Sequence, residues 1–251
     1  MAAHAGYAAL ILHFVFPRAG PERRRRLVRW WSARLVRLLG VEVRVTGDPP
    51  AMGRAAMIAA NHISWLDIFV VMSVQPARFI AKSEIRDWPV AGWITERAGT
   101  LFIRRARRHD TGRINEQVHA AFAEGACVGL FPEGTTTEGD RLLRFHSSLF
   151  EPAVANSAHV HPAAIRYAHA DGSPCRAMAY VGEMTFMQSL GLIIRQRGVV
   201  AHLAFAQPLE AGGHDRRGVA HTAHERVASL LGLESPGSAP GRAPDPPGAP
   251  R

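Results

Sequence analysis

Three observations predict an α/β domain for this 251-residue chain. Strand-length apolar runs, Ala55–Ala60 and Ala126–Phe131 among them, alternate with helix-length stretches at 111–124 and 216–231. Glycine and proline punctuate the joins, as at Gly47-Asp48-Pro49-Pro50 and Gly125. Apolar residues make up 47% of the chain, enough at this length for one sizeable core that needs no staples.

Taken in order, the chain opens with an apolar stretch, Tyr7 to Phe16, interrupted only by His13 and closed by Pro17. It falls short of the roughly 20 residues that a spanning helix needs. The positive charge follows it instead of preceding it, which is the wrong order for a signal peptide. Residues 22–39 carry Arg23, Arg24, Arg25, Arg26, Arg29, Arg34 and Arg37. On a helical wheel Leu27, Val28, Trp31, Leu35, Leu38 and Leu39 share an arc of about 120°, and Gly40 is a natural stop. Such a basic amphipathic helix suits the membrane interface, apolar face down. Packing on its own domain and binding to nucleic-acid phosphates are the alternatives. The apolar stretch upstream favours the membrane, so residues 1–40 are read as a monotopic membrane-interface segment.

Val41–Val45 alternates with period two and reads as a half-buried strand; Ala55–Ala60 reads as a more buried one. Ser64 is expected to cap a helix running through Met72 and ending before Gln75-Pro76. A strand at Phe79–Ala81, a short helix within Trp88–Ala98 and a strand at Thr100–Ile103 follow. Next come a helix over 111–124 and a strand at Ala126–Phe131. Later strands are expected at 159–166, 176–181 and 199–205, and a final helix at about 216–231. The proline-, glycine- and alanine-rich segment Ser235–Arg251 cannot bury enough surface to order itself and is read as a disordered tail.

The formal net charge is +9, and Lys82 is the only lysine among the basic residues. That balance implies an anionic partner: nucleic acid, a membrane surface or a phosphorylated substrate. Cys127 and Cys175 form no CxxC pair, so a reducing compartment is expected. The 13 histidines include no HExxH or Cys/His array, so no metal site is expected.

Four stretches carry chemistry. In Asn61-His62-Ile63-Ser64-Trp65-Leu66-Asp67, a histidine and a carboxylate five residues apart join two apolar runs. A carboxylate beside an imidazole fixes its tautomer and stabilises the imidazolium that forms on proton transfer. The plainer reading is a capping box from Ser64 to Asp67. The two are compatible: on one helix His62 and Asp67 would stand about 140° apart, so contact requires His62 in the preceding loop. In Gly99–Arg105, Arg104 and Arg105 at a strand end can grip a phosphate dianion, or else belong to a solvated basic loop. Phe131-Pro132-Glu133-Gly134-Thr135 places a carboxylate and a glycine turn at a sheet's C-terminal edge. Glu133 could bond a ligand hydroxyl or fix an arginine, and Gly134 lets backbone approach a ligand; a plain turn is the alternative. In Val160-His161-Pro162, the proline shapes an apolar strand.

These blocks, in this order, resemble the glycerolipid acyltransferase family of lysophosphatidate and glycerol-3-phosphate acyltransferases. His62 to Asp67 matches NHxxxxD. Arg105 takes the place of the second motif's arginine, and Arg104 replaces its usual acid. Residues 131–135 match FPEGT, and Val160-His161-Pro162 resembles the fourth block. The chain departs where many relatives continue with Arg-Ser after the glutamate block, having Thr136-Thr137, and where they carry Phe-Lys, having Phe145-His146.

The resemblance implies a single mixed-sheet domain flanked by helices over 41–234. It implies acyl transfer from acyl-CoA or acyl-acyl carrier protein to a lysolipid hydroxyl, with 1-acyl-sn-glycerol-3-phosphate as first acceptor and lyso-ornithine lipid as alternative. His62 would be the general base, Asp67 its orienter, and Arg104, Arg105, Glu133, Gly134 and Thr135 the acceptor site. No cofactor beyond the acyl donor is implied. The expected partners are a membrane surface, an anionic lysolipid and acyl carrier protein, without nucleic acid, at the cytoplasmic face of a bacterial inner membrane. The rival from another class is a basic membrane- or nucleic-acid-binding module without catalysis.

Overall fold

The computed structural model describes residues 16–83, 99–103 and 109–233. The apolar run 55–60 becomes strand β2 (Ala56–Ala60), buried along its whole length. Its side chains alternate between faces: Ala56, Ile58 and Ala60 join one core, Met57 and Ala59 the other. Buried on both sides, it occupies the middle of an eight-stranded sheet among the described residues.

Around it lie β1 (Val41–Thr46), β3 (Ala77–Lys82), β4 (Leu101–Ile103), β5 (Cys127–Leu130), β6 (His159–Ala168), β7 (Val199–Phe205) and β8 (Leu209–Glu210). The order is β1-β7-β6-β2-β5-β3-β4, with β8 beside β6. β2 runs parallel to both β5 and β6, aligning Ala59 with Leu130 and Ala60 with Ala163. β6 meets β7 antiparallel, so the sheet is mixed. Pro162, lacking an N–H, lies between the β8 pairing at Val160 and the β7 pairing that starts at Ala163.

Helices cover both faces. On one lie α1 (Pro21–Leu38), α2 (Asp67–Val74) and, further along the chain, a nine-residue helix at Phe186–Ile194. On the other lie α3 (His109–Ala123), α4 (Glu151–Ala155) and the C-terminal helix at Arg216–Leu231. In chain order the last two helices are α5 (Phe186–Ile194) and α6 (Arg216–Leu231). The α3-to-β5 turn needs Gly125: its φ is +65°, and a Cβ there would stand 2.5 Å from the Gly53 carbonyl oxygen.

Two expectations are corrected, and α1 shows a setting that its pattern left open. The strand expected at 176–181 is a short 3-10 turn, Arg176–Met178, followed by irregular chain and then α5. Ser64 does not cap α2, which starts at Asp67, and the Ser64 hydroxyl has no hydrogen-bond partner among the described residues. The apolar arc of α1 turns inward: Leu35, Val36 and Leu39 lie in the core, with Val28 and Trp31 packed against it, while Trp30 and Leu38 stay exposed. No described helix is long and apolar enough to cross a membrane. The stretch Tyr7–Val15, the helix expected within Trp88–Ala98, Arg104, Arg105, Arg107 and Arg108, and the tail lie outside the described residues.

Candidate active site

Parallel pairing brings the C-terminal ends of β2, β5 and β6 to one edge of the sheet, where α/β folds bind ligands. The chain leaves β2 through Asn61, whose buried amide straddles the neighbouring strand. Its Nδ2 donates to the Ile165 carbonyl at 3.0 Å, and its Oδ1 accepts from the Ile165 N–H at 2.7 Å. This pair of hydrogen bonds pins the end of β2 and leaves His62 in the loop beyond.

The first turn of α2 returns Asp67, fully buried, to that loop. His62 Nδ1 lies 2.9 Å from Asp67 Oδ2, which also accepts from the N–H groups of Ile63 at 2.7 Å and Ser64 at 2.8 Å. Tyr167 on β6 donates its phenol to Asp67 Oδ1 at 2.7 Å. Burial first, then the Asp67 charge and this hydrogen bond, push the Tyr167 phenol well above its ordinary value, so it remains a donor. Asp67 is the acceptor in every one of these contacts. The His62 hydrogen therefore belongs on Nδ1, and Nε2 is left as the basic nitrogen of the neutral ring. The His62 side chain is 19% exposed, so it is reachable from outside.

The segment after β5 grips His62 from three directions. Glu133 Oε1 accepts the His62 N–H at 2.8 Å, and Thr137 N–H donates to the His62 carbonyl at 2.8 Å. Phe131 stacks on the imidazole, with ring centroids 3.9 Å apart and planes 4° from parallel, and Phe79 stacks behind Phe131. Glu133 Oε2 accepts from the Leu143 N–H at 2.8 Å, closing the loop on itself. Burial raises the Glu133 carboxyl above its usual range, and the Leu143 and His62 N–H groups pull it back. Gly134 turns the chain at φ +74°, and Thr135 is exposed on the same turn. The Thr136 hydroxyl donates to the Tyr180 carbonyl, and Tyr180 N–H donates to the Ile63 carbonyl at 2.9 Å.

The structure thus brings His62, Asp67, Glu133, Gly134 and Thr135 to one edge. Among the described residues, Glu133 holds the histidine's own backbone there. Sequence reasoning missed Tyr167 and gave no role of their own to Asn61, Phe131 and Thr137. Asn61 was readable as a polar residue ending a fully apolar strand. The hydroxyl of Tyr167 could be assigned only once β6 was known to lie beside β2.

The family model described as Acyltransferase matches residues 42–166. A lyso-ornithine lipid O-acyltransferase of Pseudomonas aeruginosa is 40% identical over 216 residues, covering 85% of this chain and 81% of that protein. One from Rhizobium meliloti is 32% identical over 83% of this chain and 75% of its own length. A 1-acyl-sn-glycerol-3-phosphate acyltransferase of Neisseria meningitidis is 40% identical over 147 residues, 59% of this chain and 58% of that protein. The crystal structure of a 1-acyl-sn-glycerophosphate acyltransferase from Thermotoga maritima shares the fold, with a TM-score of 0.62 at 22% identity over 92% of this chain and 89% of that one. The chain belongs to the acyltransferase family and is an enzyme of that class.

Proposed function

We propose that this enzyme moves a fatty acyl group from a thioester, acyl-CoA or acyl-acyl carrier protein, to the free hydroxyl of a lysolipid, and that lyso-ornithine lipid is the acceptor. The observation that carries the chemistry is the His62–Asp67 contact through Nδ1, on a side chain that is 19% exposed. As the acceptor oxygen bonds to the thioester carbonyl carbon, His62 Nε2 takes the hydroxyl proton. Asp67 stabilises the imidazolium. Collapse of the tetrahedral intermediate breaks the C–S bond, and the departing thiolate receives the proton. A thioester is already activated, so no enzyme nucleophile is needed. General-base help of this kind is worth about 10²–10⁴-fold.

The choice of acceptor rests on relatives. Those named for lyso-ornithine lipid align over most of their own length, whereas the Neisseria enzyme aligns over 58% of its own. Thr136-Thr137 supports it too: where many relatives have Arg-Ser, the Thr136 hydroxyl is spent on the Tyr180 carbonyl. Lysophosphatidate is the second reading, favoured by Arg104 and Arg105. The proposed place of the reaction is the cytoplasmic face of a bacterial inner membrane. The +9 charge suits both an anionic surface and an acidic donor carrier; neither nucleic acid nor a cofactor is part of this reading.

Purified protein given labelled lysolipids with each donor type tests it. Labelled ornithine lipid is the expected product. Phosphatidate alone would replace the acceptor, and no product from any pair would overturn the reaction. His62→Ala should lower turnover at least about 10²-fold with the circular dichroism spectrum unchanged. Turnover near that of the unaltered enzyme would remove His62 from the mechanism.

A further inference from the structure

α5 contains no charged residue in Phe186–Ile194, yet only Ser189 and Ile193 are buried. Phe186 is 39% exposed, Met187 70% and Ile194 55%, on a helix whose Leu190 and Leu192 are half-buried. The core does not require this outer apolar face, and a solvated helix would carry polar residues there. The helix is nonetheless held firmly. Thr185 and Gln188 form a capping box at its start. Trp65, three residues after His62, donates its indole N–H to Ser189 Oγ at 3.0 Å and packs on Phe186 with ring centroids 5.0 Å apart.

The same layer carries a continuous run of aromatic rings. Phe186 meets Trp65, Trp65 meets Phe69 at 6.1 Å, and Phe69 meets Trp31 of α1 at 5.6 Å. Half-buried tryptophans at the margin of an apolar face suit the boundary between hydrocarbon and headgroups. Charge agrees. Exposed Arg195 and Arg197 follow the helix directly, against Glu183 before it, and α1 in the same layer adds exposed Arg23, Arg34 and Arg37.

We infer that the outer face of α5, Met187 and Ile194 foremost, seats in the surface of an anionic bilayer and brings the His62 edge down to acceptors lying in it. This deepens the proposed function, because it rests on an acceptor held in a membrane. It assigns the docking face to α5, while Val28, Trp31, Leu35 and Leu39 of the α1 arc are engaged with the core. An apolar helical face of this kind sinks about 5–10 Å into the boundary region, with arginines left among the phosphates.

The test is flotation of the full-length protein with vesicles of phosphatidylglycerol and phosphatidylethanolamine, and with phosphatidylcholine vesicles. Met187→Asp with Ile194→Asp should weaken binding to the anionic vesicles about tenfold or more. Arg195→Ala with Arg197→Ala should reduce the preference for phosphatidylglycerol. A Met187→Cys protein carrying an environment-sensitive dye there should shift to the blue on the anionic vesicles. Turnover of lysolipid dispersed in detergent should be the same for the unaltered and doubly substituted proteins, while turnover of vesicle-borne lysolipid falls in the latter. Equal vesicle binding by both proteins, no blue shift, or self-association that the aspartates abolish would overturn the inference. An unaltered protein idle toward every lysolipid but floating normally would instead overturn the proposed reaction.

Discussion

His62 takes its position from residues far along the chain. Its backbone N–H goes to Glu133 and its carbonyl to Thr137, its ring lies on Phe131, and its Nδ1 faces Asp67. Tyr167 is the most informative of the supporting groups, because it touches Asp67 and not the imidazole. Tyr167→Phe leaves Asp67 Oδ1 buried without its donor. Hydrogen bonds to charged groups contribute about 1.5–3 kcal/mol, and urea denaturation should show a loss of that order. Loosening of the carboxylate should also move the pH profile of kcat, with KM for the acceptor nearly unchanged. A lower stability with an unmoved profile would confine Tyr167 to packing.

At the scale of elements, α5 depends on its cap. Thr185 Oγ1 accepts from the Gln188 N–H at 3.3 Å, and Gln188 Oε1 accepts from the Thr185 N–H at 2.8 Å. Thr185→Ala should cost about 1 kcal/mol and speed hydrogen exchange in the first turn of α5 above that in α6. Unchanged exchange would mean that Trp65 alone holds the helix.

The same motif marks where the sequence was legible. Thr185-x-x-Gln188 is a capping-box signature that went unread because the apolar residues just before it suggested a strand. Ser64-x-x-Asp67 was read as a box and is not one. Asp67 accepts from the Ser64 N–H, as the reverse half of a box would, but its other bonds go to His62, Ile63 and Tyr167, and the helix starts two residues late. The buried strands and α6 were readable from their patterns. The inward turn of α1 was not, since an amphipathic pattern does not say which apolar surface its face will meet. Glu133 was placed correctly at the sheet edge. Its partner was hidden because the parallel pairing of β2 and β5 exists only in the fold.

At the scale of the whole molecule, His161 on β6 is one group through which acid lowers stability. Burial, with nearby His159 as a lesser cause, holds the His161 imidazole down at about 4. In the unfolded chain it titrates near ~6.5. Below that value the unfolded state binds a proton that the native state refuses. The contribution is therefore intact above about pH 6.5 and is lost as pH falls toward 4. Melting temperatures at pH 7 and pH 5 should differ by several degrees, and His161→Leu should narrow the gap. An equal gap in both proteins would assign the acid sensitivity elsewhere.

Cys127 lies in β5, hydrogen-bonded between β2 and β3, and burial pushes its thiol up to about 12. It is inert for as long as the strand stays in place. In a Cys175→Ala background it becomes a clock for the sheet, since the residue is 3% exposed and departure of β5 from its neighbours uncovers its thiol. β5 runs directly into Phe131 and Glu133, so the event that exposes the sulfur also releases the grip on His62. Alkylation and irreversible loss of turnover should then share one rate constant at every temperature. A protein that loses activity well before it takes up the label would have a site that comes apart while the sheet stays whole.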